Sequence, residues 1–352
     1  MTSKFHTLKI KDIRTETDEC VSIAFEIPTD KQADFSFKPG QYLNFKVDIN
    51  GEDIRRSYSL CSAPSDNEWR IAVKQIENGI FSNYVKTLNV NDTLEVSTPL
   101  GNFTTEIDAK NAKEYVLIAA GSGITPVMSL AKEILKTEPN SNVTLFYGNK
   151  GTNTVIFREE LEALKNKHIN NFRFVHIFSR ENLGNDLQNG RIDAKRYNAL
   201  WDAFLKDTKV DEVFVCGPEQ MILDVKESSL KRGLSDKNVH FELFGTTIVR
   251  EKAVSTKEIH SQVCVIIDDD AFEYVIDSPS QNVLDAGIDA GADLPYSCKG
   301  GVCCTCKAKI VEGAATMDIN YALTDEEVAQ GYILTCQSHP TTERLIVTFD
   351  EN

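Results

Sequence analysis

The sequence of 352 residues has no apolar run long enough to span a bilayer, and no N-terminal apolar stretch resembles a signal peptide. It is also short of basic residues, because 38 Lys and Arg stand against 53 Asp and Glu, a net charge of -15. Binding to nucleic-acid phosphates needs a basic surface, so this balance argues against such a partner. Internal repeats and low-complexity tracts are absent too. We therefore expect a globular cytoplasmic protein of two or three domains, with neither nucleic acid nor a membrane as a partner.

Four cysteines near the C-terminal end have the spacing of a plant-type [2Fe-2S] site. Cys298, Cys303 and Cys306 follow a C-x4-C-x2-C pattern on one predicted loop, and Cys336 comes from a distant segment. The two glycines at 300–301 suit a loop that folds around a compact inorganic core, because side chains would obstruct such a conformation. The spacing predicts a one-electron carrier.

Other uses of these thiols remain open. A structural zinc is one alternative, although zinc ribbons usually pair two short C-x2-C knuckles and Cys336 stands alone. Disulfides are another, although crowded cysteines in a cytosolic protein are more often metal ligands or redox-active. Cys304 could replace its neighbour only by changing the spacing, so we predict that it is not a ligand. Cys20, Cys61 and Cys264 are isolated and are predicted to be small core residues.

The pattern of apolar and polar residues changes along the sequence and predicts three domains. Residues 1–108 contain short alternating strands with turn residues between them, as in an antiparallel β-barrel. Residues 109–245 alternate apolar strands with helical stretches, which predicts a doubly wound α/β domain with a parallel sheet. Residues 246–260 lack clear periodicity and are predicted to be a linker. Residues 261–352 hold the cysteine loop in a predicted α+β domain.

Local patterns place the elements more closely. The strands of the parallel sheet are predicted at 115–120, 143–147, 172–178 and 212–216. In the last domain we predict a hairpin of strands 261–267 and 272–276 and a helix near 282–290. Thr324 and Glu327 form a capping-box pattern, which predicts a second short helix because each side chain can satisfy a free amide of the first turn.

The negative charge is concentrated in the cysteine-bearing domain. Residues 1–108 carry 12 basic and 17 acidic side chains (net -5), residues 109–245 carry 19 and 18 (+1), and residues 246–352 carry 7 and 18 (-11). A field of one sign can steer a basic partner and speed a transient electron-transfer contact. The alternative is that the acidic surface only maintains solubility.

The first two domains carry motifs that resemble those of the ferredoxin-NADP reductase superfamily, over about residues 5–245. These are R-S-Y-S at 56–59, G-I-F-S at 79–82, G-x-G-x-T-P at 121–126 and C-G-P-x-x-M at 216–221. The resemblance implies that FAD and a nicotinamide are bound by Arg56, Ser57, Tyr58, Ser59, Lys74, Gly79, Ile80, Phe81, Ser82, Gly121, Gly123, Thr125, Pro126, Ser179, Arg180, Cys216, Gly217, Pro218, Met221 and Phe244. It further implies that Ser59 and Cys216 take part in catalysis.

The chemistry of these residue types agrees with the resemblance. The fork of Arg56 suits a pyrophosphate, the ring of Tyr58 can cover one face of an isoalloxazine, and Ser59 can hydrogen-bond the flavin edge. The turn at Gly79 leads into a predicted helix start, where free amides and the helix dipole favour phosphate. In the same superfamily Phe244 would cover the other flavin face, although it could instead be an ordinary core residue.

The Gly121 loop superficially suggests the Rossmann fingerprint. It follows a strand and precedes a helix, with Thr125 placed to cap that helix and Pro126 suited to its first position. The third glycine of G-x-G-x-x-G is missing, however, and no clear acidic residue follows about 20 positions later to hold a ribose hydroxyl. With no such acid, the Ser179-Arg180 pair favours NADPH over NADH, since Arg suits a 2'-phosphate. Cys216 would lie beside the nicotinamide, or else be a buried strand-end thiol.

The whole domain order resembles the reductase components of multicomponent bacterial oxygenases, with a β-grasp ferredoxin domain of plant type at the end. The resemblance implies that electrons pass from NADPH through FAD and a [2Fe-2S] cluster held by Cys298, Cys303, Cys306 and Cys336 to an oxygenase partner. The acidic ferredoxin domain would dock to that partner. The oxygenase could be a Rieske-type or a diiron enzyme, and a redox sensor is a further alternative from another class.

Overall fold

The computed structural model describes residues 5–245 and 260–351 and contains three large sheets, each with its own hydrophobic core. Apart from His260, the predicted linker lies outside the described residues. Within the described ranges, no helix is long and apolar enough to cross a membrane.

The first sheet is a six-stranded antiparallel barrel with strand order β4-β3-β6-β1-β2-β5. A bridge between Leu60, just after β4, and Ile71 in β5 joins the two edge strands and closes the sheet. The sharp turn at Asn50 and Gly51, both with positive φ, connects β3 to β4 as a hairpin turn requires. Its elements are β1 (Phe5–Thr17), β2 (Cys20–Glu26), β3 (Tyr42–Ile49), β4 (Glu52–Ser59), β5 (Trp69–Lys74), the short helix α1 (Ile80–Tyr84) and β6 (Thr93–Ser97).

The second sheet has five parallel strands in the order β11-β10-β7-β8-β9, with helices on both faces. Alternate residues of the central strand β7 enter the two cores: Leu117 packs on the side of α2, and Val116 packs on the side of α4 and α5. The elements are β7 (Glu114–Ala120), α2 (Ile124–Thr137), β8 (Asn142–Asn149), α3 (Arg158–Lys167), β9 (Phe172–Phe178), α4 (Ala194–Phe204), β10 (Glu212–Cys216), α5 (Glu219–Lys231) and β11 (Val239–Glu242).

The third sheet is a mixed five-stranded β-grasp with order β13-β12-β18-β14-β16, in which only β12 and β18 pair in parallel among the described strands of that sheet. A small sheet of β15 and β17 lies beside it. The elements are β12 (Ser261–Ile267), β13 (Asp270–Ile276), α6 (Val283–Asp289), β14 (Lys307–Glu312), β15 (Ala315–Met317), α7 (Asp325–Ala329), β16 (Tyr332–Leu334), β17 (Ser338–Pro340) and β18 (Arg344–Thr348).

The structure confirms the fold class and most of the predicted elements. The four apolar strands of the parallel sheet, the hairpin and both helices of the last domain are present. At α7, Thr324 accepts from the amide of Glu327 and Glu327 accepts from the amide of Thr324, so the predicted capping box forms.

The predicted start of helix α2 is wrong by two residues. Residues 121–123 form a 3-10 turn, and the helix continues from Ile124 with Gly123 at its cap position. Thr125 therefore lies in the first turn and donates its hydroxyl hydrogen to the carbonyl of Ser122 (3.0 Å) instead of capping the helix. Gly121 adopts a φ of 55°, a conformation that favours glycine and lets the helical path begin early.

Candidate functional site

The four predicted ligand thiols lie in two pairs at the end of the third sheet. Sγ of Cys303 is 3.1 Å from Sγ of Cys298 on the loop between α6 and β14. Cys306, at the start of β14, interacts with the thiol of Cys336, which is carried by the turn after β16. Three of the four are buried and Cys298 is partly exposed. Two pairs match a binuclear cluster, in which four thiolates are shared by two irons.

The environment of the thiols favours metal binding. The hydrogen bond from Cys303, supported by backbone amides of the loop, lowers the pKa of Cys298 to about 6 despite burial. The hydrogen bond from Cys306 likewise lowers the pKa of Cys336. The amide of Gly300 donates to Sγ of Cys298 at 3.3 Å. Because thiolates are the metal-binding form, these contacts prepare one ligand in each pair.

Backbone geometry explains one glycine of the cysteine loop. Gly301 has a φ of 71°, and a Cβ placed there would lie 2.9 Å from the carbonyl oxygen of Ile319 and 3.1 Å from Cγ of Gln337. Gly300 has more room, since the nearest atom to its Cβ would be the carbonyl oxygen of Cys298 at 3.7 Å. The loop therefore requires glycine at the second position but not at the first.

Cys304 points away from the thiol pairs. Its Sγ is 3.4 Å from the carbonyl oxygen of Ala322 and 3.8 Å from Nδ2 of Asn102, and burial raises its pKa to about 12. Across residues 5–245 and 260–351, no three His, Cys, Asp or Glu side chains are grouped to hold a single metal ion. The contacts of the Cys304 thiol therefore lie outside the two thiol pairs.

The R-S-Y-S segment occupies the end of β4. Arg56 is exposed, and its Nη1 donates to the backbone carbonyl of Arg55 at 2.7 Å. Tyr58 is partly buried, and its ring stacks on that of Phe81 at 5.3 Å between centroids. Burial raises the pKa of Tyr58 to about 12, so the hydroxyl stays protonated. An exposed guanidinium beside the uncharged ring of a tyrosine suits a ligand with phosphates and a flat ring system.

The Gly79 segment lies next to this strand. Gly79 precedes α1, and a Cβ there would lie 2.4 Å from Oγ of Ser82, whose hydroxyl accepts from the amide of Ile76. Phe81 is a core residue of the barrel, whereas Ile76 and Ile80 expose large apolar side chains. The segment thus presents an apolar surface as well as the backbone amides predicted from the sequence.

Ser59 and Cys216 both lie next to a partly buried residue, Glu242, that the sequence reasoning did not single out. Oγ of Ser59 donates to Oε2 of Glu242 at 2.7 Å, and Glu242 is the register partner of Cys216 on neighbouring strands. Burial raises the pKa of Glu242 to about 7. Burial also raises the pKa of the Cys216 thiol, and the charge of Glu242 adds to that shift. A carboxyl group of this kind can hold or release a proton near neutral pH.

A cleft of about 740 Å³ opens at the carboxyl end of the parallel sheet, where ligands of open α/β sheets bind. The G-x-G-x-T-P loop and the C-G-P loop form its floor and touch each other. A Cβ at Gly123 would lie 2.1 Å from the carbonyl oxygen of Cys216, and one at Gly217 would lie 2.5 Å from Cε of Met221. Of the residues predicted from the sequence, the cleft is lined by Lys74, Gly121, Gly123, Ser179, Arg180, Gly217, Pro218, Met221 and Phe244. Thr125 and Pro126 are buried in the first turn of α2, just behind that floor.

Besides Lys74, three exposed cations line the same cleft. Lys150, Arg180 and Arg191 are exposed there. Two acidic residues also line the cleft, and both accept hydrogen bonds from backbone amides of α4. Asp193 accepts from the amide of Arg196, and Asp224 accepts from the amide of Ala194. Positive charge therefore prevails where a nucleotide phosphate would enter.

Phe244 is not a core residue. Its side chain is 49% exposed and lies in the cleft together with Lys74, which comes from the barrel. An exposed aromatic ring between the barrel and the parallel sheet fits a residue that covers a flat cofactor.

The cysteine loop packs directly on the barrel. Oγ of Ser297 is 2.7 Å from Oγ of Ser57, which also donates to Oδ1 of Asn44. Nδ2 of Asn44 donates to Oγ1 of Thr305 at 3.1 Å, and the hydroxyl oxygen of Tyr42 accepts from the amide of Cys304 at 3.2 Å. The R-S-Y-S strand therefore touches the segment that carries the thiols.

Comparison with known proteins agrees with this geometry. An oxidoreductase FAD-binding domain model matches residues 7–105, an oxidoreductase NAD-binding domain model matches 117–227, and a 2Fe-2S iron-sulfur cluster binding domain model matches 265–341. A component of 1,2-phenylacetyl-CoA epoxidase from Escherichia coli (strain K12) is 40% identical over 348 residues, 98% of each chain. The chain belongs to the FAD- and [2Fe-2S]-containing reductases of oxygenase systems.

Two further members of this reductase family resemble the whole chain. The ferredoxin reductase component of 3-ketosteroid-9-alpha-monooxygenase from Rhodococcus rhodochrous is 31% identical over 97% of this chain and 96% of its own. The solved structure of phthalate dioxygenase reductase matches with a TM-score of 0.60 and 25% identity, over 99% of this chain and 100% of that one. The similarity thus extends over all three sheets and their order.

Family membership assigns FAD, a [2Fe-2S] cluster and a nicotinamide nucleotide as the cofactors of the reductase, and the residues present fit them. The paired thiols suit the cluster, the exposed Phe244 and Arg56 suit the flavin, and the cationic cleft suits the nucleotide. The sequence reasoning missed Glu242, Lys150 and the residues that join the cysteine loop to the barrel. Glu242 lies two positions before Phe244, so its place next to that residue was the available signal.

Proposed function

We propose that this reductase takes electrons from NADPH and delivers them one at a time to the oxygenase of a phenylacetyl-CoA epoxidase complex, in phenylacetate catabolism. The observation that carries the electron path is the packing of the cysteine loop on β3 and β4 through Asn44 and Ser57. It brings the thiols to the strand that carries the flavin motif. When bound, FAD supplies the conversion of a two-electron donor into a one-electron source.

The chain's own residues position the reactants and manage a proton. The glycines of the cleft floor shape the place for the nicotinamide, and Phe244 lines the same cleft. Cys216 is fully buried directly behind Gly123. Ser59 holds its hydrogen bond to Oε2 of Glu242, whose raised pKa allows that oxygen to carry a proton near pH 7. The pair can therefore pass a proton to or from the flavin edge through Oγ of Ser59.

NADPH as the preferred donor is supported by Lys150, Arg180 and Arg191 along the cleft. Arg180→Ala should lower kcat/KM for NADPH by about tenfold or more, because a hydrogen bond between charged groups contributes about 1.5–3 kcal/mol. The value for NADH should change little. Arg173→Ala, which removes an exposed arginine of β9 that does not line the cleft, is the matched control. Equal losses with both nucleotides, or none with NADPH, would contradict the NADPH proposal.

The identity of the oxygenase is supported by the relative at 40% identity, and the relative from the steroid monooxygenase at 31% keeps a second oxygenase class as the alternative. The test supplies this reductase to the remaining components of the Escherichia coli epoxidase and measures oxygen-dependent turnover of phenylacetyl-CoA with NADPH. The isolated reductase should not bind phenylacetyl-CoA, which would react on the oxygenase. Steady cytochrome c reduction without any epoxidation would favour the alternative partner.

Docking through the acidic ferredoxin domain is supported by charge. Residues 246–352 carry 7 basic and 18 acidic side chains, and steering by such a field weakens with salt. The rate of oxygenase reduction should therefore fall as ionic strength rises. A cytoplasmic location is part of the same proposal, because none of the nine cysteines, all within the described residues, forms a disulfide, as expected in a reducing compartment.

A further inference from the structure

Arg55 is a buried cation between two domains. Its side chain is 6% exposed, and its Nε and Nη2 donate to Oδ2 of Asp53 on the same strand at 3.1 and 2.9 Å. Across the interface, Nη2 donates to Oδ1 of Asp293 at 3.0 Å and Nη1 donates to the carbonyl of Leu294 at 3.3 Å. The guanidinium carbon also lies 4.5 Å from the ring centre of Tyr296. One side chain thus contacts three neighbouring residues that precede the first cluster cysteine.

Among the described residues, the other hydrogen bonds between the cysteine loop and the barrel join neutral groups. Ser57 meets Ser297, Asn44 meets Thr305, and Tyr42 accepts from the amide of Cys304. Neutral hydrogen bonds of this kind fix the alignment of two surfaces, but each exchanges a bond to water for a bond to protein. They leave the attraction between the domains to other groups.

Electrostatics favours a cation at this interface. The barrel residues 1–108 have a net charge of -5 and residues 246–352 have a net charge of -11, so the two domains repel each other at long range. Arg55 lies between a carboxylate of each domain, Asp53 and Asp293. Because the guanidinium is buried, salt screens its interactions less than those of surface charges.

We propose that Arg55 is a positioning residue that holds the ferredoxin domain on the barrel, in the alignment in which the cluster receives electrons from the flavin. This inference rests on the proposed electron path. In the step that Arg55 would serve, the bound flavin would supply one electron and one ferric iron of the cluster would accept it. Arg55 gains and loses neither proton nor electron. Its neighbour Arg56 serves the cofactor, so the two arginines of the doublet have separate tasks.

The experiment compares two reactions of the same holoprotein. Ferricyanide reduction by NADPH reports the flavin alone, and cluster reduction after anaerobic mixing with NADPH reports transfer between the domains. The variants are Arg55→Ala, Arg55→Lys and Asp293→Asn. Glu343→Gln is the matched control, since it removes an exposed carboxylate of the same domain that has no described contact with the barrel.

Arg55→Ala should slow cluster reduction about tenfold, which corresponds to about 1.4 kcal/mol of docking free energy. Asp293→Asn should slow it about threefold, because the Asp293 side chain is 83% exposed and the amide still accepts a hydrogen bond. Arg55→Lys should recover part of the rate, since lysine keeps the charge but not the forked geometry. Asp293→Asn and Glu343→Gln should leave ferricyanide reduction unchanged. The effects of Arg55→Ala and Asp293→Asn should not add in the double variant.

Cluster reduction at the wild-type rate in both Arg55→Ala and Asp293→Asn would overturn the proposal. If Arg55→Ala does not fold or loses FAD, Asp293→Asn and Arg55→Lys decide, and wild-type rates in both would overturn it. A residue with only a structural role would lower FAD content or Tm without changing the ratio of the two reactions. Failure of wild-type protein to reduce its cluster with NADPH would instead refute the proposed function.

Discussion

Replacing one of two adjacent glycines in the cysteine loop should disrupt the cluster, and replacing the other should not. Gly301→Ala forces a residue with a Cβ into a φ of 71° and places that Cβ 2.9 Å from the carbonyl oxygen of Ile319. Gly300→Ala adds the same methyl group where the nearest atom is 3.7 Å away, which is ordinary van der Waals contact. The two variants add the same methyl group at adjacent positions of the chain.

The magnitude follows from two contributions. A left-handed conformation costs a residue other than glycine about 1–2 kcal/mol. Displacing Ile319 and Gln337 to make room for the methyl group adds about 1–3 kcal/mol, the usual cost of overpacking. Together these disfavour the loop conformation of Gly301→Ala by about 2–5 kcal/mol. Gly300→Ala should be nearly neutral, because it keeps the amide that donates to Sγ of Cys298.

The assay is the iron content per FAD of the purified protein, followed by the loss of cluster absorbance on heating. FAD is the internal reference because both substitutions leave every residue of the FAD-binding domain unchanged. Gly301→Ala should show reduced iron per FAD or earlier bleaching, and Gly300→Ala should match wild type. Equal iron content and equal bleaching in the two variants would refute the geometric reasoning.

Two further predictions concern single side chains. Because burial raises the pKa of Glu242 from 4.5 to about 7, the folded protein holds a proton that the unfolded chain releases, so the contribution of Glu242 to stability should fall as pH rises between these values. The fall in this contribution is at most about 3 kcal/mol and should be absent in Glu242→Gln. Urea unfolding at pH 5 and pH 8, monitored by FAD fluorescence, measures the free energy of unfolding of both proteins. The same change in this free energy between the two pH values in wild type and in Glu242→Gln would contradict the assignment. Cys304→Ser should retain the cluster whereas Cys303→Ser loses it, because Sγ of Cys304 faces the carbonyl of Ala322 and Sγ of Cys303 faces Cys298. Visible absorption and EPR of the two purified proteins test this prediction. Loss of the cluster signal in Cys304→Ser would show that the spacing argument is wrong.

Local patterns predicted the elements well where one physical rule governs them. Strand β9 came from an apolar run, and helix α7 came from the capping box of Thr324 and Glu327. The start of α2 was misplaced because Thr125 and Pro126 look like a helix start, while the backbone freedom of Gly121 lets the helical path begin earlier. Competing local signals of similar strength cannot be ranked from sequence alone.

Contacts between domains were beyond the reach of the sequence. Ser57 and Ser297 are 240 positions apart, and no sequence pattern indicates that their side chains meet. In the sequence, Glu242 is a single acidic residue at the end of an apolar strand, and only the fold shows that Ser59 donates a hydrogen bond to it. The residue types of the candidate site were predictable because their motifs are local, whereas their mutual geometry depends on how three sheets pack.

Strand alternation reconciles the two tasks of the R-R-S-Y-S segment. Successive side chains of a strand point to opposite faces, so Arg55, Ser57 and Ser59 share one face of β4. Arg55 and Ser57 contact the ferredoxin domain, and Ser59 reaches Glu242 of the parallel sheet. Tyr58 points to the other face, where it stacks on Phe81. One face of β4 would thus cover the flavin and the other would align the other two domains, while Ser59 at the end of the strand would link Glu242 to the flavin edge. For this reason substitutions at neighbouring positions of β4 should impair different steps.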